Sequence, residues 1–178
     1  MSWIDEKLTA TDAELLAEHG QVSNIFKVLS LNPLAMSEHL ALFVTLMFGE
    51  SGLSRLEREA VGVVVSANNE CSYCIKMHSN ALRRYIDDRE TLDMLIAADG
   101  LETLEPRLSN IVRHAEKLTN APGAMTEIDL GELRAVGLSD KDILDLTLLA
   151  SYFSFVNRIA LGLGVVDDSD DTDVPGAG

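Results

Sequence analysis

Four side chains in one short segment carry the chemistry of this sequence: Glu59, Cys71, Cys74 and His78. Cys71 and Cys74 are the only two cysteines in the chain, and they stand three residues apart. On a helix, Cys71, Cys74 and His78 fall at i, i+3 and i+7 and share one face. His78 then lies one turn beyond Cys74, near enough for its ring to approach that sulfur. Cys71 falls at the helix start, where free N–H groups and the helix dipole favour a thiolate. Glu59 belongs to the preceding helix. An antiparallel turn at Asn68-Asn69 brings it back beside His78, because each lies about nine residues from the turn. A carboxylate, an imidazole and two thiols are the parts needed to deprotonate a thiol, attack a peroxide oxygen, protonate the leaving group and close a disulfide. A thiolate that attacks peroxide becomes a sulfenic acid, which a neighbouring thiol condenses with.

Other readings of the same residues carry less. A zinc site wants four ligands, there is no second cysteine pair, and Glu59 would have to serve. Free cysteine also packs inertly in cores. The reading calls for no metal and no cofactor. His19, His39 and His114 lack comparable neighbours and read as surface or capping residues, and Arg158 reads as the partner of some carboxylate.

The elements that position these residues read as helices throughout. The first spans Ala13 to Leu29. Pro33 opens a second, to about Phe48. Ser54 followed by Glu57 is a capping-box signature for a third, toward Ala67. Asn68 and Asn69 stop that helix and lead into another, from about Cys71 to Tyr85. Further helices follow over Arg89–Ala98, from Pro106 through Leu118, from Thr126 and Asp129 to Gly137, and from Ser139 with Asp142 to about Leu161. No strand alternation interrupts them. The expected fold is all-α, a compact bundle of about eight helices, with a single domain over residues 1–166. Within the last helix, Leu144, Leu148, Phe155 and Ile159 make an apolar face suited to the core or to a subunit interface.

Charge sets the partners. With 14 basic against 29 acidic residues, the formal net charge is −15, the wrong field for a nucleic-acid partner. Part of the acidity is local: five aspartates lie between Asp167 and Asp173, and residues 167–178 read as a disordered tail. The opening residues carry no basic and apolar leader of the secretory type. The uncharged apolar stretch from Leu146 to Val156 is too short for a membrane span. The expectation is a cytoplasmic protein without a membrane partner, where a lone Cys-x-x-Cys reads as redox or metal chemistry rather than a structural disulfide.

The pattern Glu59-x11-Cys71-x2-Cys74-x3-His78 resembles the active-site motif of AhpD-type alkylhydroperoxidases, in the carboxymuconolactone decarboxylase superfamily. Val22 to Phe26, Glu57-Arg-Glu59, Ala115 to Thr119, Leu133 to Gly137 and Asn157 to Ala160 look like its peroxidase-related branch, so the resemblance covers roughly residues 20–166. It implies a peroxide substrate attacked by Cys74, with Cys71 as resolving thiol and proton donor and Glu59 and His78 as the proton relay. It also implies a thiol reductant, such as a lipoyl- or thioredoxin-like protein, and a homo-oligomer, a dimer or a trimer of dimers. The helix dipole by itself would instead make Cys71 the more acidic thiol. One residue departs from the pattern: Tyr73 stands where AhpD enzymes carry a second histidine, and a phenol of ordinary pKa about 10 is a poorer base. The alternatives are a decarboxylase or lactone-processing enzyme of the same superfamily, and a redox-sensing oligomer without catalysis.

Overall fold

Ser54 and Glu57 start the helix on which the rest of the site is built. The Ser54 side chain accepts from the Glu57 N–H at 3.2 Å, and the Glu57 carboxylate accepts from the Ser54 N–H at 2.6 Å, closing the capping box. In the computed structural model, which describes residues 2–9 and 23–167, every regular element is helical. In chain order these are α1 (Asn24–Leu29), α2 (Pro33–Phe48), α3 (Arg55–Asn68), α4 (Ser72–Leu82), α5 (Arg89–Ala97), α6 (Pro106–Asn120), α7 (Glu127–Ala135) and α8 (Asp140–Gly162). Single 3-10 turns lie at Leu101–Thr103 and Pro122–Ala124.

Most starts follow the capping residues. Pro33 and Pro106 are first residues of their helices. Asp129 accepts from the Thr126 N–H, and Asp142 from the Ser139 N–H. Two boundaries differ from expectation. Ser23 is extended and begins α1, so the helix does not run unbroken from Ala13, and residues 10–22 lie outside the described residues. α4 stops at Leu82 rather than Tyr85. Residues 83–85 are exposed, so another turn would bury little, and the chain tightens into i→i+3 bonds there. The acidic tail beyond Asp167 also lies outside the described residues.

The chain groups into two compact units. One comprises Met1–Val44 with Ile159–Gly178, the other Thr45–Arg158. In the first, the Trp3 N–H donates to the Leu163 carbonyl and the Asn24 amide to the Val166 carbonyl. Phe26 meets the His39 ring edge-on at 5.2 Å, and His39 is buried, not the surface residue the sequence suggested. In the second unit α3 is the axis. Every residue from Glu57 to Ser66 is buried, although its valines are poor helix formers. Packing holds it: Ala60, Val63 and Val64 sit in one cluster with Leu82, Leu92, Leu95, Leu101 and Val112. Two buried charged residues orient its first turn. Arg58 donates to the carbonyls of Leu46, Gly49 and Leu53, closing the end of α2. Glu57, already in the capping box, pairs with Arg107 at 2.6 Å. His114, on α6, is buried too, against expectation.

The α3–α4 turn is a Schellman motif. The Cys71 N–H donates to the Ser66 carbonyl and the Glu70 N–H to the Ala67 carbonyl, while Glu70 takes a left-handed φ of 56°. Glycine is the usual residue there because a Cβ is strained in that conformation. Glu70→Gly should therefore raise unfolding free energy by about 0.5–1 kcal/mol in urea titration, and a loss of stability would contradict the strain assigned to Glu70.

Burial holds the His39 pKa down, from an ordinary 6.5 to about 4. Between those values the unfolded chain binds a proton that the folded chain refuses, so stability should fall as pH drops through that window. Replacing His39 with leucine should flatten the pH dependence of urea unfolding there by up to one proton. Parallel curves for the two proteins would refute it.

Candidate active site

The Schellman turn places Cys71 as the N-cap of α4, with Cys74 in its first turn and His78 one turn further on. The two sulfurs lie 2.7 Å apart in hydrogen-bond contact, both thiols are free, and both are almost fully buried. They share a proton unequally. The Cys74 side chain bonded to it holds the Cys71 thiol below its ordinary range, against the pull of burial. The same bond, with burial, pushes the Cys74 thiol up. Of the two, Cys71 is therefore the thiol that ionises first, as the helix-start position leads one to expect, and the two titrate as a unit.

Glu59 and His78 meet across the α3–α4 hairpin, Oε2 to Nδ1 at 2.8 Å. The equal arms of the hairpin produce this contact. Glu59 is 2 % exposed, and its other oxygen is held by Arg55, one turn earlier on α3, at 2.7 Å. Arg55 is itself placed by the Met47 carbonyl, which accepts its Nη1, and by the Phe48 ring, 4.0 Å below the guanidinium. In the tautomer that donates Nδ1–H to the carboxylate, the ring lone pair is on Nε2. Phe153 of α8 closes on the ring edge-on at 4.4 Å.

The ring also needs a gap in α3. A Cβ on Gly62 would lie 2.7 Å from His78 Cγ and 2.8 Å from Nδ1, closer than atoms pack. Glycine in mid-helix costs about 1 kcal/mol relative to alanine, and here it makes room for the imidazole against the α3 backbone.

A further residue arrives from α8. Asn157 is fully buried, its Oδ1 accepts from Asn69 Nδ2 at 3.0 Å, and its Nδ2 donates to Ser66 Oγ at 3.1 Å. Both partners belong to the turn that delivers Cys71.

All four residues singled out in the sequence are thus drawn together, as two contact pairs on one helical hairpin. The sequence reading missed Arg55, Gly62 and Asn157 as parts of the site. Arg55 carries the i,i+4 signal of an ion pair with Glu59, and Gly62 the signal of a mid-helix glycine. Asn157, far along the chain, carries no local signal. Among the described residues Arg158 has no carboxylate partner, and its Nη1 donates to the Ser154 carbonyl of its own helix. Among the described residues no group of three or more His, Cys, Asp or Glu is placed to hold a metal, and both oxygens of Glu59 are engaged by Arg55 and His78.

Residues 37–117, which include all four, match the carboxymuconolactone decarboxylase family. The fold is similar to the crystal structure of an uncharacterized peroxidase-related protein from Silicibacter sp. TM1040, with TM-score 0.84, 30% identity, and 95% of this chain and 93% of that one covered. It is also similar to an AhpD-core peroxidase-related protein from Ralstonia eutropha JMP134, with TM-score 0.83, 28% identity, and 94% and 93% covered. The debrominase Bmp8, at 16% identity and TM-score 0.77 with 94% of each chain covered, shares the fold alone. With its helices, its Glu-Cys-Cys-His segment and these relatives taken together, the chain belongs to the carboxymuconolactone decarboxylase superfamily as an AhpD-like member.

Proposed function

We propose that this chain is a thiol-dependent peroxidase that reduces hydrogen peroxide or organic hydroperoxides through a Cys71/Cys74 dithiol–disulfide cycle. The observation that carries the reading is the pair of free, buried thiols 2.7 Å apart on the hairpin that joins Glu59 to His78. The His78–Glu59 pair takes one of the two thiol protons and holds it on the imidazole, and the two sulfurs share the other. When that proton is on Cys71, the Cys74 thiolate attacks the peroxide: an S–O bond forms, the O–O bond breaks, and sulfur gives up two electrons. The leaving alkoxide or hydroxide takes the Cys71 proton and departs as alcohol or water. The Cys71 thiolate then attacks the Cys74 sulfenic acid, forming the S–S bond and expelling hydroxide, which is protonated through the His78–Glu59 pair. A second dithiol, on a lipoyl- or thioredoxin-like protein, returns two electrons and two protons.

Burial of both sulfurs favours small peroxides. The cytoplasm, a reducing compartment, suits the cycle. The apolar face of α8 suits a homo-oligomer. Leu144, Leu148 and Phe155 are 57%, 44% and 53% exposed, so they are not core, and a second subunit would cover them. A decarboxylase or lactone-processing reaction makes no use of two thiols in contact.

Two experiments test the parts. If Glu59 and His78 act as one proton relay, Glu59→Gln should slow peroxide consumption by about 10²–10⁴-fold. Gly62→Ala should do nearly the same by displacing the ring, and combining the two should add little. Alanine is the better helix former, so the expected signature is lost rate with retained stability, and full activity in Gly62→Ala would defeat the relay.

The thiol roles separate under one equivalent of hydroperoxide. Cys71→Ser should stall as a sulfenic acid at Cys74, trapped by a dimedone-type probe and located by peptide mapping, because no thiol remains to condense with it. Cys74→Ser should remain unlabelled. Labelling of Cys71 in the second protein, with none of Cys74 in the first, would exchange the two roles.

A further inference from the structure

Glu59 divides its two oxygens between a permanent cation and a titratable ring. Arg55 Nη2 lies 2.7 Å from Oε1, and His78 Nδ1 lies 2.8 Å from Oε2. The guanidinium is held there from α2, where the Met47 carbonyl accepts its Nη1 and the Phe48 ring centre lies 4.0 Å away. Its Nε is buried and has no hydrogen-bond partner. An unmet buried N–H is unfavourable, so the packing keeps the guanidinium on the carboxylate in preference to satisfying every donor it carries.

A carboxylate facing an imidazolium alone would hold the proton on the ring, because an opposite charge within a few ångströms favours the charged form. The second step of the proposed cycle needs that proton back. Arg55 and Glu59 together carry no net charge, so the ring faces an ion pair rather than a bare anion. Other charged groups on the neighbouring elements are engaged elsewhere. Glu57 pairs with Arg107, Arg58 donates to three carbonyls at the end of α2, and Asp145 of α8 pairs with Lys141. The two thiols titrate on the same helix as the ring, and α8 sets the uncharged Phe153 against it.

We propose that Arg55 is the positioning residue of the relay: by holding one oxygen of Glu59 it lets the carboxylate orient the His78 ring while weakening its hold on the ring's proton. When the Cys71 thiolate attacks the Cys74 sulfenic acid, the S–S bond forms and the S–O bond breaks. The hydroxide released takes the imidazolium proton and leaves as water, and His78 is neutral again. Arg55 therefore acts through Glu59 and His78 on the closing of the disulfide. The proposal rests on the dithiol reading, but its deciding test uses no peroxide, so either can fail while the other stands.

That test is a titration of the ring. NMR follows the His78 imidazole against pH in the full chain carrying Cys71→Ser and Cys74→Ser, where no thiol titrates beside it. The signal is assigned by its absence in His78→Gln. Arg55→Gln removes the cation and keeps a donor for Glu59. The midpoint for proton uptake should then rise by about one pH unit, an about tenfold tighter hold on the proton. Arg55→Lys keeps the charge, and its midpoint should stay near that of the parent even if the shorter side chain lowers stability. If the glutamine protein does not fold, Phe48→Leu removes the ring beside the guanidinium and should move the midpoint the same way by less; an unmoved midpoint there counts against the proposal equally. With both thiols restored, Arg55→Gln should close its disulfide about tenfold more slowly after one equivalent of hydroperoxide, and Arg55→Lys should recover most of that rate. A midpoint that stays or falls in Arg55→Gln, or that rises equally in Arg55→Lys, would overturn the proposal and leave Arg55 as a counter-ion that only fixes Glu59 in place.

Discussion

A carboxylate as deeply buried as Glu59 persists only if its charge is met, because transferring an unpaired ion out of water costs several kcal/mol. Arg55 meets one oxygen and His78 the other. That requirement governs the surrounding structure. Arg55 must be one turn upstream on the same helix, and its guanidinium must be anchored, as the Met47 carbonyl and the Phe48 ring anchor it. His78 must return on an antiparallel helix at matching depth, which sets the length of the turn. The imidazole must lie flat enough on α3 to reach the carboxylate, which leaves glycine as the residue at position 62.

The same hairpin solves a second problem, which is to hold two thiols together without oxidising them. The Schellman turn brings Cys71 to the helix start, where backbone N–H groups favour charge, and the helical spacing sets Cys74 against it. The strained Glu70 is the cost of so tight a turn. The hairpin thus carries two contact pairs, the Glu59–His78 ion pair and the Cys71–Cys74 thiols.

α8 serves the site from a distance and presents a different surface outward. By length and mean hydropathy its 23 residues would also suffice to cross a membrane, a longer apolar helix than the stretch from Leu146 to Val156 suggests. Its buried side carries Phe153, which packs on the His78 ring, and Asn157, which bonds Asn69 and Ser66 at the turn. Its opposite side carries Leu144, Leu148 and Phe155, exposed on the single chain. One helix is thus apolar all round because it has two burial demands, one met within its own unit and one left open.

Local rules made much of this legible from the residues alone. Capping boxes and N1 prolines placed the helix starts, since a cap is a bond between residues three apart. The helical period placed Cys71, Cys74 and His78 on one face, and equal distances from the Asn68-Asn69 turn paired Glu59 with His78. What the tertiary structure alone decided involves residues with no local relation. Asn157 bonds Ser66 from 91 positions away. Gly62 is explained only by a ring from another helix, and the two histidines read as surface residues, His39 and His114, are enclosed by helices whose packing no short-range period encodes. The outward face of α8 has the composition of a core face. Whether such a face is covered depends on what packs against it, and that is a property of the assembled helices rather than of the residues in order.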